Sequence, residues 1–421
     1  MNSHLSPPIR GARDFYPQEL SIRNWLFAKW REVAKSFGYE EIDGPILENF
    51  DLFAVKSGEE LVNQQTYSLT DRDGKKLAIR PELTPTYSRL IARKFGQLTL
   101  PLRWMMFGNV WRYEKPQTGR SRDFWQWEVN IVGGEENMAD AEVIALAAKS
   151  LESIGLTSKD VIFRLNDRRF MQQTLAEIGI EDQLYTQTLK AIDKKERLPW
   201  PEYEAWLKEI GLTPSQIMNL EEFLSRPKFA LYPKLVKLFD LLKQYGVADW
   251  VRYDPLIVRG LTYYTGTVFE CFDQKMDLRS IFGGGRFDDL VETFGGPKVP
   301  AVGFAMGDVV ITELLRRLNK LPHLSPTPTR LLVTIFSPEL LPVTVTLTVT
   351  LRSKGINVEL YPDPTVKLDK QLKYASAKGI PFVAILGPEE AAKNLISLKN
   401  MSTGEQKLLP ASQLPDELAP R

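Results

Sequence analysis

The residue types best suited to chemistry occur together in residues 111–133, WRYEKPQTGRSRDFWQWEVNIVG. Gln126, Glu128 and Asn130 alternate there with apolar residues, which is the period-two pattern of a half-buried strand. Arg112 precedes them, and a guanidinium beside amide and carboxyl groups can hold a small polar molecule. A solvated hairpin would give the same alternation, but the basic loop before this strand makes us favour a ligand site.

The loop that joins the two predicted strands is cationic. Its polar residues, interrupted by Gly119, are Glu114, Lys115, Gln117, Arg120 and Arg122. A basic loop at the tip of a polar strand pair can contact polyphosphate, because guanidinium and ammonium groups donate charge-assisted hydrogen bonds to phosphate oxygens.

Three further segments offer polar groups or close backbone approach. Glu82 and Thr84 lie between a predicted strand and a predicted helix, where side chains commonly face a cleft. A plain N-cap role for Thr84 fits the local sequence equally well. Residues 259–272, RGLTYYTGTVFECF, are strand-rich and carry an arginine and two adjacent tyrosines. The glycines at 283–285 favour a turn, with close approach to a ligand as the alternative.

Composition narrows the classes of function. The chain has 421 residues, of which 43% are hydrophobic and 25% charged, as expected for a globular protein of about two to four domains. A net charge of +1 means that any nucleic-acid surface must be local. The single cysteine, Cys271, excludes an internal disulfide framework and indicates a reducing compartment, which we expect to be the cytoplasm.

Several kinds of site are also disfavoured. Two histidines and one cysteine argue against a His/Cys zinc site and against a Ser-His or Cys-His nucleophile. No run of about 18 apolar residues predicts a membrane span, and the N-terminal residues lack an apolar targeting core. Neither GxxxxGK[ST] nor GxGxxG occurs, so a nucleotide would have to bind in another way.

Periodicity and breaks along the chain predict the elements that position these residues. Residues 1–20 are expected to be an irregular arm, followed by a helix over residues 21–37 and a short strand over residues 39–47. Residues 170–230 are charged, proline-interrupted and helical in pattern, which predicts a helical insertion. The proline-rich residues 319–329 mark the clearest boundary. Alternating strands and helices after it predict a small α/β domain around a mainly parallel sheet.

Together these segments resemble the histidyl-tRNA synthetase family of class II aminoacyl-tRNA synthetases, over nearly the whole chain. Residues 39–47 resemble motif 1, the dimer-forming segment, and residues 112–133 resemble motif 2. Residues 300–307, PAVGFAMG, resemble the start of motif 3. Residues 79–84, IRPELT, match the family's LRPE-x-T loop.

Two further motifs make the resemblance specific to histidine. RGLTYY at residues 259–264 resembles the signature RGLDYY, with Thr262 where aspartate is usual, and GGGRFDD at residues 283–289 resembles GGGRYD. The resemblance implies an α+β class II catalytic domain, an antiparallel sheet flanked by helices, over residues 1–326. It includes a helical insertion at 170–250, and an α/β anticodon-binding domain follows at 327–421.

The resemblance also implies roles in activating histidine with ATP. Arg112 and Arg259 would be the catalytic cations that contact the α-phosphate. Both the carboxylate and the phosphate are anionic, so the step needs positive charge and alignment more than a general base. The residues implied for histidine are Glu82, Thr84, Gln126, Asn130, Tyr263 and Tyr264. Those implied for ATP are Arg112, Glu114, Arg259 and Gly307, with Mg²⁺ on the β- and γ-phosphates.

The second step would transfer histidine to the 3′ end of tRNA(His). Lys115, Gln117, Arg120 and Arg122 are the residues expected to meet the acceptor end, where phosphate contacts position the tRNA. The resemblance further implies a homodimer whose isologous interface is formed by motif 1.

Two positions depart from the family pattern. Motif 3 normally ends GLER, but here Val310 stands in the place of that arginine, and Arg316 or Arg317 could substitute. The family usually has Glu or Asp at the position of Asn130, so the contact with the imidazole N–H loses its charge, and Glu128 on the same strand face could compensate.

Three functions are compatible with these motifs. We favour an active histidine–tRNA ligase. The first alternative is a histidine-binding regulatory subunit of ATP phosphoribosyltransferase, although that subunit normally lacks the anticodon domain. The second is a tRNA-binding paralogue without ATP chemistry, an interpretation prompted by Val310.

Overall fold

The computed structural model describes residues 7–54, 61–227, 229–258, 263–325 and 327–418. The chain divides into two compact units. The first comprises residues up to Asp14 together with Arg23–Leu321, and the second comprises Phe15–Ile22 together with the residues from Pro322 onward.

From Pro17 to Arg317, helices and strands alternate irregularly. In chain order they are α1 (Pro17–Ser36), β1 (Glu40–Glu41), β2 (Leu47–Asn49), α2 (Asp51–Ala54), β3 (Ser68–Thr70), β4 (Lys76–Ile79), α3 (Thr84–Lys94), β5 (Leu102–Trp111), β6 (Asp123–Val132), α4 (Glu136–Glu152), β7 (Val161–Asp167), α5 (Arg168–Glu177), α6 (Asp182–Lys194), α7 (Trp200–Ile210), α8 (Pro214–Ser225), α9 (Pro233–Gln244), β8 (Val251–Tyr253), β9 (Thr267–Asp273), β10 (Phe282–Arg286), α10 (Leu290–Thr293), β11 (Ala301–Gly307) and α11 (Asp308–Arg317).

A large sheet forms the centre of the first unit. Among the described residues its strand order is β1-β5-β6-β11-β10-β9-β7-β8. The β1–β5 and β7–β8 pairs are parallel, and every other pair is antiparallel. Helices flank this sheet, and the main hydrophobic core includes Trp30 of α1 stacked on Trp127 of β6, with ring centroids 5.2 Å apart. The expected antiparallel class II sheet is confirmed.

The β5–β6 hairpin has the two faces that the alternation predicts. Trp127, Val129 and Ile131 belong to the main hydrophobic core. Gln126, with the two polar residues at 128 and 130, lines a cavity on the other face. Trp127 lies opposite Phe107 in the register, so the aromatic layer continues onto β5.

The N-terminal segments differ from prediction in two respects. Helix α1 begins at Pro17, inside the segment expected to be irregular, because proline is well tolerated in the first turn of a helix. Residues 39–47 do not form one strand. Glu40–Glu41 pairs with β5, whereas Leu47–Asn49 pairs with β4 in a separate sheet of order β2-β4-β3, and Pro45 lies between them.

The glycine run at 283–285 is a strand, not the turn that we expected. It lies in β10 between β9 and β11. A Cβ atom on Gly284 would lie 2.4 Å from the carbonyl oxygen of Gly303, and one on Gly285 would lie 2.8 Å from the Tyr264 ring. Glycine is therefore required here so that neighbouring groups can pack closely against this strand.

The segment predicted to be a helical insertion is helical in the structure, and its first helix, α5, begins at Arg168. Helices α5 to α8 share a hydrophobic cluster of their own, which includes Leu207 and Leu220. Arg164 of β7 connects it to the sheet through two hydrogen bonds to the Glu196 carboxylate, at 3.0 and 2.9 Å. The insertion therefore contacts the sheet next to the cavity, which Arg164 and Glu196 both line.

The second unit contains an α/β domain. Its elements are β12 (Leu331–Val333), α12 (Leu341–Ser353), β13 (Val358–Leu360), α13 (Leu368–Lys378), β14 (Phe382–Ile385), α14 (Pro388–Lys393), β15 (Leu395–Asn400), β16 (Gln406–Pro410) and α15 (Leu414–Leu418). The sheet order is β13-β12-β14-β15-β16. The expectation of a mainly parallel sheet was wrong, because β15 and β16 return by short connections and pair antiparallel. Within the described ranges, no helix has the length and apolar character needed to cross a membrane.

Candidate active site

A cavity of about 850 Å³ lies on the polar face of β6 and β11. This volume is in the upper part of the range that small-molecule sites occupy. Most of the predicted site residues line it, namely Glu82, Thr84, Arg112, Glu114, Arg120, Gln126, Asn130, Tyr263, Tyr264 and Gly307. Lys115, Gln117 and Arg122 are not part of its lining. Arg259 lies outside the described residues, so its predicted role stays a prediction.

The floor of the cavity is a hydrogen-bonded polar cluster. Asn130 Nδ2 donates to Glu128 Oε1 at 2.9 Å, and Thr84 Oγ1 donates to Glu128 Oε2 at 3.0 Å. The N-cap role considered for Thr84 was wrong, because Leu83 is the cap residue of α3 and Thr84 points to Glu128. Gly303 of β11 faces Asn130 in the register, and a Cβ there would lie 1.7 Å from Asn130 Oδ1.

Glu128 is the most electrostatically perturbed residue of this floor. Its side chain is almost fully buried, at 1% exposure. Burial raises the pKa of Glu128 to about 8, because desolvation disfavours the carboxylate more than the hydrogen bonds from Asn130 and Thr84 favour it. A carboxyl group that titrates near neutral pH in a cavity is a candidate for contact with a titratable ligand.

Gln126 provides an unused acceptor in the same cavity. Its Oε1 atom is buried and accepts no hydrogen bond from the described part of the chain. A buried acceptor without a donor is costly, by roughly 1–3 kcal/mol, so such an atom at a cavity wall suits a ligand that donates hydrogen bonds.

Arg112 is held at the start of the β5–β6 loop. Its Nε donates to the carbonyl oxygen of Pro81 at 2.9 Å, and its guanidinium carbon lies 5.2 Å from the centre of the Phe124 ring. Desolvation lowers the pKa of Arg112, while Glu82 and Glu114 oppose that shift. Phe124 also lines the cavity. The sequence did not indicate this, because an aromatic residue in a strand is expected to pack in the hydrophobic core.

The basic loop is anchored by the N-terminal arm. The backbone N–H of Arg122 and the Ser121 hydroxyl both donate to the carbonyl oxygen of Gly11, at 2.7 and 2.6 Å. Arg120 forms an ion pair with Glu114 at 2.5 Å. Lys115 and Gln117 are exposed at the loop, where a large partner can reach them.

Asp308 connects the N-terminal arm to β6, the strand that carries the floor of the cavity. It accepts hydrogen bonds from the backbone N–H of Trp125 at 2.9 Å and pairs with the Arg13 guanidinium at 3.0 Å. Burial raises the pKa of Asp308, and the charge of Arg13 opposes the shift. Asp308 thus has a structural role in placing β6, which no local signal in the sequence revealed.

The tyrosine pair forms part of the opposite wall. Tyr263 and Tyr264 are both buried, and their ring centroids lie 4.9 Å apart. The Arg168 guanidinium donates to the carbonyl oxygen of Tyr264 at 2.8 Å, which ties this segment to the start of the insertion.

The suggested replacements for the motif 3 arginine were wrong. Arg316 and Arg317 both pair with Glu313 on the exposed side of α11, at 2.6 and 3.0 Å, and neither lines the cavity. Val310 does line it, as does Arg279 from the segment between β9 and β10.

An antiparallel sheet whose hairpin carries an arginine, a polar floor and a cationic loop defines the catalytic fold of a class II aminoacyl-tRNA synthetase. The family model described as histidyl-tRNA synthetase matches residues 11–308, and the model of the anticodon binding domain matches residues 331–421. The chain therefore belongs to the histidyl-tRNA synthetase family.

Individual relatives are similar to this chain over almost its full length. The chain is 37% identical to the chloroplastic/mitochondrial histidine–tRNA ligase of Arabidopsis thaliana, covering 97% of this chain and 86% of the relative. It is 35% identical to the histidine–tRNA ligase of Pyrococcus horikoshii, covering 97% and 98%. Among solved structures, the histidyl-tRNA synthetase of Nostoc sp. PCC 7120 is similar, with a TM-score of 0.84, 26% identity and 99% of each chain covered.

Proposed function

We propose that this protein activates histidine with ATP to histidyl-adenylate and transfers the histidyl group to the 3′ end of tRNA(His). The observation that carries this proposal is the cavity in which Arg112 lies beside a floor of buried polar groups, in a chain of this family. The unused Gln126 acceptor and the titratable Glu128 suit an amino acid with an ammonium group and an imidazole.

In the first step, a carboxylate oxygen of histidine attacks the α-phosphorus of ATP, and pyrophosphate leaves. Arg112 bridges the two anions, because its planar fork can donate to a carboxylate and a phosphate oxygen together. Arg259 is proposed to contact the α-phosphate from the other side. Such fixed charges stabilise the transition state without reorganising during the reaction.

The amino acid is proposed to be held by its two ends. Glu82, Thr84 and Gln126 receive the ammonium group, for which carboxylate and neutral oxygen acceptors are suited. Tyr264 contacts the imidazole together with the floor around Asn130, and Tyr263 closes the side of the pocket. Both tyrosines line the same cavity as the polar residues of β6.

The nucleotide is proposed to lie against Arg112, Glu114 and Gly307. Phe124 offers a ring face on which adenine can stack. The described residues contain no cluster of three or more His, Cys, Asp or Glu side chains arranged for a metal. Mg²⁺ would be held mainly by the phosphates and by one or two cavity carboxylates such as Glu270, and it would neutralise charge on the β- and γ-phosphates.

In the second step, the terminal hydroxyl of tRNA attacks the adenylate carbonyl carbon and AMP leaves. Lys115, Gln117, Arg120 and Arg122 are proposed to position the acceptor end. We assign the catalytic core to residues 1–326 and anticodon binding to residues 327–421. We further propose a homodimer formed through residues 39–47, and a cytoplasmic location consistent with the single, buried Cys271.

The test is ATP–pyrophosphate exchange by the purified protein, with histidine and then with each other amino acid. Histidine-dependent exchange, followed by charging of a tRNA(His) transcript, is the expected result. A protein that binds histidine but exchanges no pyrophosphate would discard the ligase function. It would favour the regulatory subunit or the non-charging paralogue, although the anticodon-domain match over residues 331–421 speaks against the former.

A further inference from the structure

Asn130 leaves the imidazole without an acidic partner at the position where the family usually has one. Successive residues on one face of a strand are separated by about 6.5 Å, so a side chain two positions away can reach the same ligand. On the polar face of β6, that neighbour toward the Gln126 side is Glu128, which also lines the cavity.

The geometry keeps the Glu128 carboxyl group in one orientation. Asn130 Nδ2 donates to Oε1 and Thr84 Oγ1 donates to Oε2, so both oxygens are fixed by neighbours. Below about pH 8 the carboxyl group also carries a proton, so it can donate one hydrogen bond to a ligand in the cavity. Room for the Asn130 side chain comes from Gly303, where a Cβ would collide with Oδ1.

We propose that Glu128 is the residue that recognises the imidazole ring of histidine, with Asn130 and Thr84 as its positioning residues. The acidic side chain that contacts the imidazole then lies at position 128, two residues before the position at which the resemblance implies it. This inference rests on the proposed function and adds the residue that determines amino-acid selectivity.

The chemistry matches the ligand. The pKa of Glu128, raised to about 8 by burial, lies close to that of imidazole, so the two groups can share one proton in a charge-assisted hydrogen bond. An amino acid with an apolar ring would leave the buried carboxyl without that bond. A site built on a matched polar contact can reject such analogues by about 10⁴-fold or more.

The experiment compares three variants in steady-state ATP–pyrophosphate exchange: Glu128→Gln, Asn130→Asp, and E128N/N130D, an exchange variant that moves the acidic group to position 130. Glu128→Gln is expected to raise KM for histidine by about ten- to a hundredfold, the effect of losing a charged hydrogen bond, and to leave KM for ATP unchanged. E128N/N130D restores an acid at the family position and is expected to recover most of the loss. Discrimination between histidine and β-(2-thienyl)alanine, whose ring has no N–H, should fall in Glu128→Gln and return in the exchange variant.

The outcomes distinguish imidazole recognition by Glu128 from a purely structural role. A merely structural role would change both KM values or the folded fraction, and the exchange variant would not rescue it. Glu128→Gln with an unchanged KM for histidine overturns the inference, as does an exchange variant that is folded but no better than Glu128→Gln. If the unmodified protein shows no histidine-dependent exchange, the proposed function itself fails, which is a separate result.

A second, independent observation concerns position 310 of α11, where the resemblance to motif 3 implies an arginine. Val310, which stands at this position instead, lines the cavity. Arg279 lines the same cavity. Desolvation and then the charge of Arg120 lower the pKa of Arg279, and the charge of Glu114 opposes the shift. A guanidinium group at a cavity wall can donate several hydrogen bonds to phosphate oxygens.

We infer that Arg279 contacts the triphosphate of ATP in place of the motif 3 arginine. Arg279→Ala should raise KM for ATP about tenfold or more and leave KM for histidine unchanged, while V310R/R279A should restore ATP binding. Arg316→Ala is the matched control, because that side chain is exposed and paired with Glu313 outside the cavity. An Arg279→Ala variant with the KM for ATP of the control would overturn this assignment.

Discussion

Arg112 combines two requirements that usually conflict, because it must be charged and also largely removed from water. The Pro81 carbonyl oxygen and the Phe124 ring hold its guanidinium, and Glu82 and Glu114 offset part of its desolvation. Its direction is therefore set before substrate arrives, which is the condition for strong electrostatic catalysis.

Replacing Arg112 with lysine tests the need for a planar fork. Lysine keeps the charge but cannot bridge two anions bidentately, so kcat for ATP–pyrophosphate exchange should fall by about 10²- to 10³-fold. The control is Arg316→Lys, which should behave like the unmodified protein. Exchange at more than a tenth of the normal rate in Arg112→Lys would contradict the bridging role.

Glu128 should make stability depend on pH. In the folded protein it keeps its proton until about pH 8, whereas the unfolded chain releases it near 4.5, so the protein loses stability as pH rises between those values. Relative to Glu128→Gln, the free energy of unfolding should decline by up to about 1.4 kcal/mol per pH unit in that window. Urea unfolding of both proteins at pH 5, 6, 7 and 8, without histidine, measures it. Parallel pH profiles would show that Glu128 is ionised throughout.

At the scale of elements, a buried ionic network joins α4 to strands β9 and β10. Arg286 Nη2 lies 2.7 Å from Asp140 Oδ1, and Arg286 Nη1 lies 3.0 Å from Asp288 Oδ1. Thr267 of β9 donates to the second Asp140 oxygen at 2.6 Å. This network lies at the end of the glycine strand and positions it against its neighbours.

Asp140→Asn should destabilise the protein by about 3–5 kcal/mol, because it leaves the almost fully buried Arg286 with less compensating charge. The midpoint of urea unfolding gives the measurement. Asp249→Asn, at an exposed carboxylate in the short helical turn before β8, is the control and should change stability by less than about 0.5 kcal/mol. A loss of stability as small as that of the control would mean that Asp288 and Glu136 suffice to compensate the buried charge of Arg286.

At the scale of the whole molecule, the segment that we expect at a dimer interface exposes apolar side chains. Ile46 is 49% exposed and Leu47 is 43% exposed, and the same segment contains β1, which lies at the edge of the large sheet. Exposed apolar residues beside an unpaired sheet edge suit association with a second copy of the chain.

Ile46→Glu should therefore convert a dimer into a monomer, because a charge would be buried in the interface without a partner. Light scattering after size exclusion should change from twice 48.0 kDa to 48.0 kDa. Met218→Glu, at a residue of the insertion that is 66% exposed, is the control and should leave the mass of the dimer. An unmodified protein of 48.0 kDa, or a dimeric Ile46→Glu variant, would refute the interface.

Much of the site could be predicted from residues that are neighbours in sequence. The alternation of Gln126, Glu128 and Asn130 with Trp127 and Val129 determined which face is core and which is polar, since side-chain direction in a strand depends only on parity. Residue types and spacing likewise indicated the cationic loop, the insertion and the family motifs. The glycine run misled us, because glycine signals freedom of the backbone and cannot say which neighbour needs the space.

Only the tertiary structure determined which polar residues contact one another and how those contacts change their pKa values. The Thr84–Glu128 and Trp125–Asp308 contacts join residues 44 and 183 positions apart, and the space that Gly303 leaves for Asn130 comes from a third segment. The raised pKa of Glu128, the anchoring role of Asp308 and the distance of Arg316 from the cavity all depend on such contacts. Burial and charge arise from the whole fold, so short-range patterns determined which residues could act, and packing determined which of them meet.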